Sequence, residues 1–191
     1  MQLDFNNDIR EAVKILKKGG IILYPTDTIW GIGCDPGNEE AIQRIFELKK
    51  RQDSRSMLVL ASDLSMLERY VNEVPEAAYQ LLDVADSPLT IIYPRARFVH
   101  PSLLAEDGSL GIRIPENEFA QALIIAFRKP IVSTSANISG EPSPSCFAEI
   151  SREIIRGVDY VVKYRQQDTR PAQSSSIIKL DDKGRITIIR N

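Results

Sequence analysis

Five segments of the chain carry side chains able to grip a charged small molecule. Pro25-Thr26-Asp27-Thr28 sets two hydroxyls and a carboxylate directly after the apolar Ile21-Ile22-Leu23-Tyr24. Open α/β sheets bind ligands at such strand ends, although the same residue types also cap turns. Between Arg44 and Arg55 stand five cations, Arg44, Lys49, Lys50, Arg51 and Arg55, against Glu47 and Asp53, a local net of +3. Guanidinium groups there suit bidentate recognition of phosphate or carboxylate, but on its own the charge run is more simply read as a solvated helix end. Ser133-Thr134-Ser135-Ala136-Asn137-Ile138-Ser139-Gly140, with Ser143 after it, supplies short hydroxyls and backbone N–H groups of the kind that cradle anions. Arg113 interrupts an apolar run between Ile112 and Ile114, and an arginine facing inward from a strand must be paired. Ser174-Ser175-Ser176 opens a late strand, and Arg190 lies next to the last residue.

Apolar periodicity and Gly/Pro punctuation place these segments on alternating elements. Helices are predicted over Asp8–Lys18, Glu39–Lys50, Leu64–Tyr70, Glu76–Val84, Glu118–Arg128 and Phe147–Ile155. Strands are predicted over Ile21–Tyr24, Met57–Ala61, Leu89–Tyr93, Gly111–Ile114, Pro130–Ser133 and Tyr160–Lys163. Ser176–Leu180 and Arg185–Ile189 form a terminal hairpin around Asp182-Lys183-Gly184. The alternation predicts an α/β sheet with helices on its faces, and the hairpin makes the sheet mixed. The 191 residues are expected to form one domain, 1–191.

Composition narrows the chemistry further. Apolar residues make up 43% and charged residues 26%, with 24 Lys and Arg against 26 Asp and Glu and a net charge of -2. That balance excludes a disordered chain and argues against a basic, sequence-independent nucleic-acid binder. No apolar run approaches the length of a membrane span, and no signal peptide is evident, so a cytoplasmic protein is expected. Cys34 and Cys146 are expected to be reduced thiols. The single histidine, His100, reads as a surface loop residue, which rules out a two-histidine zinc site and points away from imidazole catalysis. The chain also lacks a G-x-x-x-x-G-K-[ST] phosphate loop, and Gly31-Ile32-Gly33 is not a dinucleotide fingerprint.

Taken in order, the segments resemble one family. Pro25-Thr26-Asp27-Thr28-Ile29-Trp30-Gly31-Ile32-Gly33 resembles the PT(D/E)TVYGLG signature of YrdC/TsaC proteins, the threonylcarbamoyl-AMP synthases. Lys49-x-Arg51 resembles that family's KxR motif and Ser135-Ala136-Asn137 its SxN motif. Ser87-Pro88-Leu89-Thr90, Gly111-Ile112-Arg113-Ile114-Pro115, Pro142-Ser143-Pro144 and the late serine run follow in family order. The departures are Gln52, Arg55-Ser56, Ala85-Asp86-Ser87 in place of Trp-Pro-Gly, and Ser175-Ser176 in place of Ser-Thr.

The resemblance implies a short, single-domain YrdC-like form, with a twisted mixed sheet curved around a large positive cavity. It implies adenylation of the carbamate formed from L-threonine and bicarbonate or CO2, at the expense of ATP, for tRNA threonylcarbamoyladenosine modification. Lys49 and Arg51 are then the catalytic cations, neutralising the triphosphate with Arg55. Arg51, Arg55, Ser109, Ser135, Asn137, Ser143 and Arg190 bind ATP. Thr28, Leu60, Arg113, Ser133 and Ser175 line the threonine site. Mg²⁺ is held mainly by ATP phosphates and no protein metal site is expected, with Asp27 a carboxylate candidate by position only. The implied partners are small-molecule substrates, a downstream threonylcarbamoyl-transferase complex of the TsaD/TsaB/TsaE type and, weakly, tRNA, with no membrane. Competing expectations are a non-catalytic RNA-binding module, a carbamoyl-adenylating maturation enzyme and an inactive relative.

Overall fold

The computed structural model describes residues 5–50 and 57–191. Helix α1 (Asn6–Lys17) buries Ile9, Ala12 and Leu16 along one face and gives way to Gly19, whose φ of +78° is the left-handed turn that favours glycine. Its Asp8 accepts from the Tyr160 hydroxyl at 2.5 Å and from the backbone N–H of Tyr164 at 2.8 Å, tying the first helix to the end of a distant strand. Helices α2 (Glu39–Leu48), α3 (Leu64–Tyr70), α4 (Glu76–Val84), α5 (Glu118–Phe127) and α6 (Arg152–Gly157) follow. Asn38, Asp63, Asn117 and Ser151 cap α2, α3, α5 and α6 through their side-chain oxygens.

Among the described residues, nine strands, β1 (Ile22–Tyr24), β2 (Gly31–Gly33), β3 (Leu58–Leu60), β4 (Leu89–Tyr93), β5 (Leu110–Arg113), β6 (Ile131–Ser135), β7 (Tyr160–Val161), β8 (Ser176–Leu180) and β9 (Ile186–Arg190), form one sheet ordered β7-β1-β2-β6-β3-β5-β4-β8-β9. Pairings β1–β7, β3–β5 and β4–β8 are parallel and the rest antiparallel, so the sheet is mixed, as predicted.

Most predicted limits hold within two residues, and three differences bear on the site. β2 was not predicted: two of its three residues are glycines. Their smallness has a packing cause. A Cβ on Gly33 would stand 2.6 Å from the Val132 carbonyl oxygen, and one on Gly31 would stand 2.9 Å from Ser133 Oγ. Strand β6 runs on through Thr134 and Ser135, where a loop was expected, because Gly31 and Ile32 of β2 pair with those two residues. The single helix expected over Phe147–Ile155 is a 3-10 turn, Phe147–Glu149, followed by α6. The break falls at Ser151, which caps α6, and Phe147 packs against Trp30 with ring centroids 4.9 Å apart.

Strand alternation divides the residues between two environments. Ile91, Ile112, Val132 and Ile178 belong to the apolar core. Thr90, Ile92, Gly111, Arg113, Ser133, Ser135, Ile177 and Lys179, at the alternate positions, line a cavity.

Candidate active site

The cavity measures about 1000 Å³. That lies at the top of the range for small-molecule sites, large enough for more than one substrate. Of the residues expected to bind ligand, Thr28, Ser109, Arg113, Ser133, Ser135, Ser143, Ser175 and Arg190 all line it. They come from β5, β6, β9 and four connecting segments, so residues up to 162 positions apart in the chain share one hollow.

Three expected residues stand elsewhere. Leu60 is fully buried in the core. Lys49 is 1% exposed, and its Nζ donates to the backbone carbonyls of Ser135 at 2.5 Å and Asn137 at 2.7 Å. It lies beneath the end of β6 and the turn that follows it rather than on the cavity wall. Asn137 also faces its own turn, with Nδ2 donating to the carbonyls of Ile138 and Glu141. Arg51 and Arg55, together with the departures Gln52 and Ser56, lie outside the described residues.

Among the described residues, Arg113 is the most buried charged group on the wall, at 4% exposure. Its Nη1 forms an ion pair with Asp27, and Nη2 donates to Thr28 Oγ1 at 3.1 Å. Nε is buried and meets no partner. The neighbouring hydroxyls form a chain. Thr28 Oγ1 stands 2.9 Å from Thr26 Oγ1, and Thr26 Oγ1 donates to the Ile29 carbonyl at 2.9 Å. Since Thr26 gives its proton to a carbonyl, Thr28 must donate to Thr26. Thr28 Oγ1 therefore faces the cavity as an acceptor.

A further part of the wall is built on β4, β8 and β9. Ser175 Oγ shares a hydrogen bond with Thr90 Oγ1 at 2.8 Å, and the Ser175 carbonyl accepts from Arg190 Nη2 at 2.7 Å. Asp107 accepts from the Ser109 hydroxyl at 2.6 Å and pairs with Lys179. The hydrogen bond from Lys179, then that from Ser109, pulls the Asp107 carboxyl down to about 2. Sequence reasoning passed over Asp107, Lys179 and the apolar stretch of Ile92, Leu104 and Ile177.

Among the described residues the wall carries Arg113, Lys179 and Arg190 as cations and Glu106 and Asp107 as anions. Arg113 and Lys179 are each paired with a carboxylate, whereas Arg190 makes no ion pair. Neither the histidine nor a cysteine lines the cavity. His100 is engaged with Ser102 Oγ at 2.8 Å, and burial, then Asp35, raises the Cys34 thiol far above its ordinary range. The wall can therefore hold anions, hydroxyls and amines, and it offers no imidazole or thiolate nucleophile among the described residues.

The family model Sua5_yciO_yrdC, described as "Telomere recombination", matches residues 14–191. A threonylcarbamoyl-AMP synthase of Vibrio cholerae serotype O1 is 30% identical over 181 residues, covering 90% of this chain and 96% of that protein. The crystal structure of E. coli YciO is similar with a TM-score of 0.83 at 29% identity, covering 97% of this chain and 89% of that one. P. abyssi Sua5 carrying the H234A/Y235A substitutions gives a TM-score of 0.85 at 28% identity over 95% of this chain. Our chain spans 55% of that longer protein. Sua5 complexed with L-threonine gives a TM-score of 0.76 at 27% identity, covering 90% of this chain and 50% of that one. The twisted mixed sheet and the matched motifs agree with these likenesses, and the chain belongs to the Sua5/YciO/YrdC family.

Proposed function

We propose that the chain is an L-threonylcarbamoyl-AMP synthase, acting as one catalytic unit over residues 1–191. The observation that carries the reading is Arg113. A buried guanidinium with an unpartnered Nε–H on a cavity wall calls for an anionic ligand, because an unmet charged donor is costly. The carboxylate of threonine supplies that anion. Thr28 Oγ1, an acceptor beside Arg113, suits the amine or hydroxyl of the same substrate. The curated relatives named for this activity, and Sua5 crystallised with L-threonine, support the assignment.

In this reading Arg113, Thr28, Ser133 and Ser175 hold threonine, and Ser109, Ser135, Ser143 and Arg190 hold ATP, with Arg51 and Arg55 on the triphosphate. The threonine amine adds to CO2 and loses a proton to give the carbamate. A carbamate oxygen then attacks the α-phosphorus, and the bond from that phosphorus to the α,β-bridging oxygen breaks to release pyrophosphate. Positioning and charge neutralisation supply most of the catalysis in such transfers. The absence of imidazole from the wall is compatible with this chemistry.

The described residues do not furnish a cage for Mg²⁺. No group of three or more His, Cys, Asp or Glu side chains converges among them, and Asp27, the carboxylate candidate, is taken up by Arg113. In our reading Mg²⁺ comes with the nucleotide, held by phosphate oxygens and water. No described helix is long and apolar enough to cross a membrane. We place the enzyme in the cytoplasm, passing its product to a TsaD/TsaB/TsaE-type complex for tRNA modification and touching tRNA at most weakly itself.

The test is mass spectrometry of the protein with ATP, Mg²⁺, threonine and bicarbonate. Threonylcarbamoyl-AMP and pyrophosphate are expected. Pyrophosphate released only with carbamoyl phosphate would instead identify a carbamoyl-adenylating enzyme. Salt-sensitive RNA binding without pyrophosphate in either mixture would identify a binding module.

A further inference from the structure

We propose that Asp27 is a positioning residue for threonine: it holds Arg113 by one amino group so that the Nε edge of the guanidinium is the edge presented to the substrate carboxylate. The inference rests on the reading of Arg113 as the threonine carboxylate site.

A guanidinium can meet a carboxylate through its two terminal amino groups or side-on, through Nε and the adjacent amino group. Here Nη1 is taken by Asp27 and one proton of Nη2 by Thr28. Nε remains buried and unpartnered. The side-on edge is thus the one that keeps a donor unspent. An arginine free of Asp27 would have a second such edge, and threonine held there would bring its amine to a different point relative to the nucleotide. Orientation errors of this size cost rate as well as affinity.

Asp27 has no role in closing the core. Its side chain, 10% exposed, borders a second hollow of about 600 Å³ that Pro115, Glu116 and Gln121 also line. Its place is set by Arg113 and, at 3.4 Å, by the Glu116 backbone N–H. That room predicts that a longer carboxylate fits and does the same work, whereas an uncharged side chain of equal size does not.

Pyrophosphate release should be measured with threonine varied at saturating ATP and bicarbonate, for Asp27→Asn, Asp27→Ala and Asp27→Glu. ATP binding is followed in parallel by fluorescence of Trp30, the one tryptophan in the chain, on the cavity wall. Asp27→Asn and Asp27→Ala are expected to lower kcat/KM for threonine about tenfold or more while ATP affinity changes less than about twofold. Asp27→Glu is expected to stay within about threefold of the parent protein. The positioning role is overturned if Asp27→Asn keeps the parent kcat/KM for threonine, or if threonine and ATP binding fall together and Asp27→Glu rescues neither. Arg113→Lys run beside them separates the two ideas. If it too leaves threonine use intact, the carboxylate site itself is misplaced, and if it alone impairs threonine use, only the role of Asp27 is lost.

Discussion

Lys49 and Arg113 are both buried cations, 1% and 4% exposed, and their surroundings could hardly differ more. The ammonium of Lys49 is spent on the backbone carbonyls of Ser135 and Asn137, and it lies under the turn it holds. The guanidinium of Arg113 is balanced by a carboxylate and keeps one donor unspent on the cavity wall. One cation holds backbone at the end of β6, and the other lines the cavity. Sequence motifs mark both alike, and only the direction of the donors tells them apart.

The largest effect that would test this contrast is Arg113→Ala. Losing a charge-assisted contact costs about 1.5–3 kcal/mol, ten- to a hundredfold in rate. It also strands Asp27 as a buried charge, a change worth about 3–5 kcal/mol of stability where a buried pair is broken. Threonine-dependent turnover is expected to fall about a hundredfold, with a lower melting temperature. Threonine and ATP titrations on the folded fraction check it. Equal losses for both substrates would erase the distinction.

Lys49→Met comes next. Two buried carbonyls lose their donor, at about 1–3 kcal/mol each. Nucleotide affinity is expected to drop about tenfold, and by the same factor for ATP and AMP, since Lys49 acts through the turn. A loss that is much larger for ATP than for AMP would show the ammonium reaching the triphosphate, as the family resemblance implies.

The sequence announces the surroundings of Arg113 more plainly than those of Lys49, and the reason is physical. An arginine between Ile112 and Ile114 breaks a strand pattern, so its need for a partner is visible, and Asp27 is an obvious chemical type for one. The partners of Lys49 are backbone carbonyls 86 and 88 residues away. Every residue owns such a carbonyl, so nothing in the local pattern marks the right ones. The same logic separates the elements. Helices α3 and α4 and strand β4 match their predicted limits, because apolar spacing and punctuation are local signals. β2 was missed because its glycines answer to Tyr24, Val132 and Ser133, residues brought near only by the fold. The cavity hydroxyls were legible as types, and their convergence was legible only through the family resemblance.

Ser135→Ala sharpens the contrast from the far side of the turn. A neutral hydroxyl contact is worth about 0.5–1.5 kcal/mol, so nucleotide affinity should fall a few-fold, about tenfold at most. If Lys49 serves to place Ser135, the double variant should lose little more than Lys49→Met alone. Full additivity would uncouple the lysine from the serine.

The smallest expected effect belongs to the exposed pair on the same wall. Lys179 and Asp107 have side chains 37% and 54% exposed, against 4% and 10% for Arg113 and Asp27. Asp107, with its carboxyl lowered from 3.8 to about 2, binds its proton less readily in the folded chain than in the unfolded one. Its contribution to stability is therefore complete above about pH 4 and fades as the pH falls toward 2. Solvent screening keeps that contribution to about 0–1 kcal/mol. Lys179→Ala should lower stability at neutral pH by no more than that, and by less in high salt. It should also flatten the pH dependence of stability between about pH 4 and pH 2, read from acid unfolding curves. A loss as large as that of Arg113→Ala would mean that burial does not separate the two pairs.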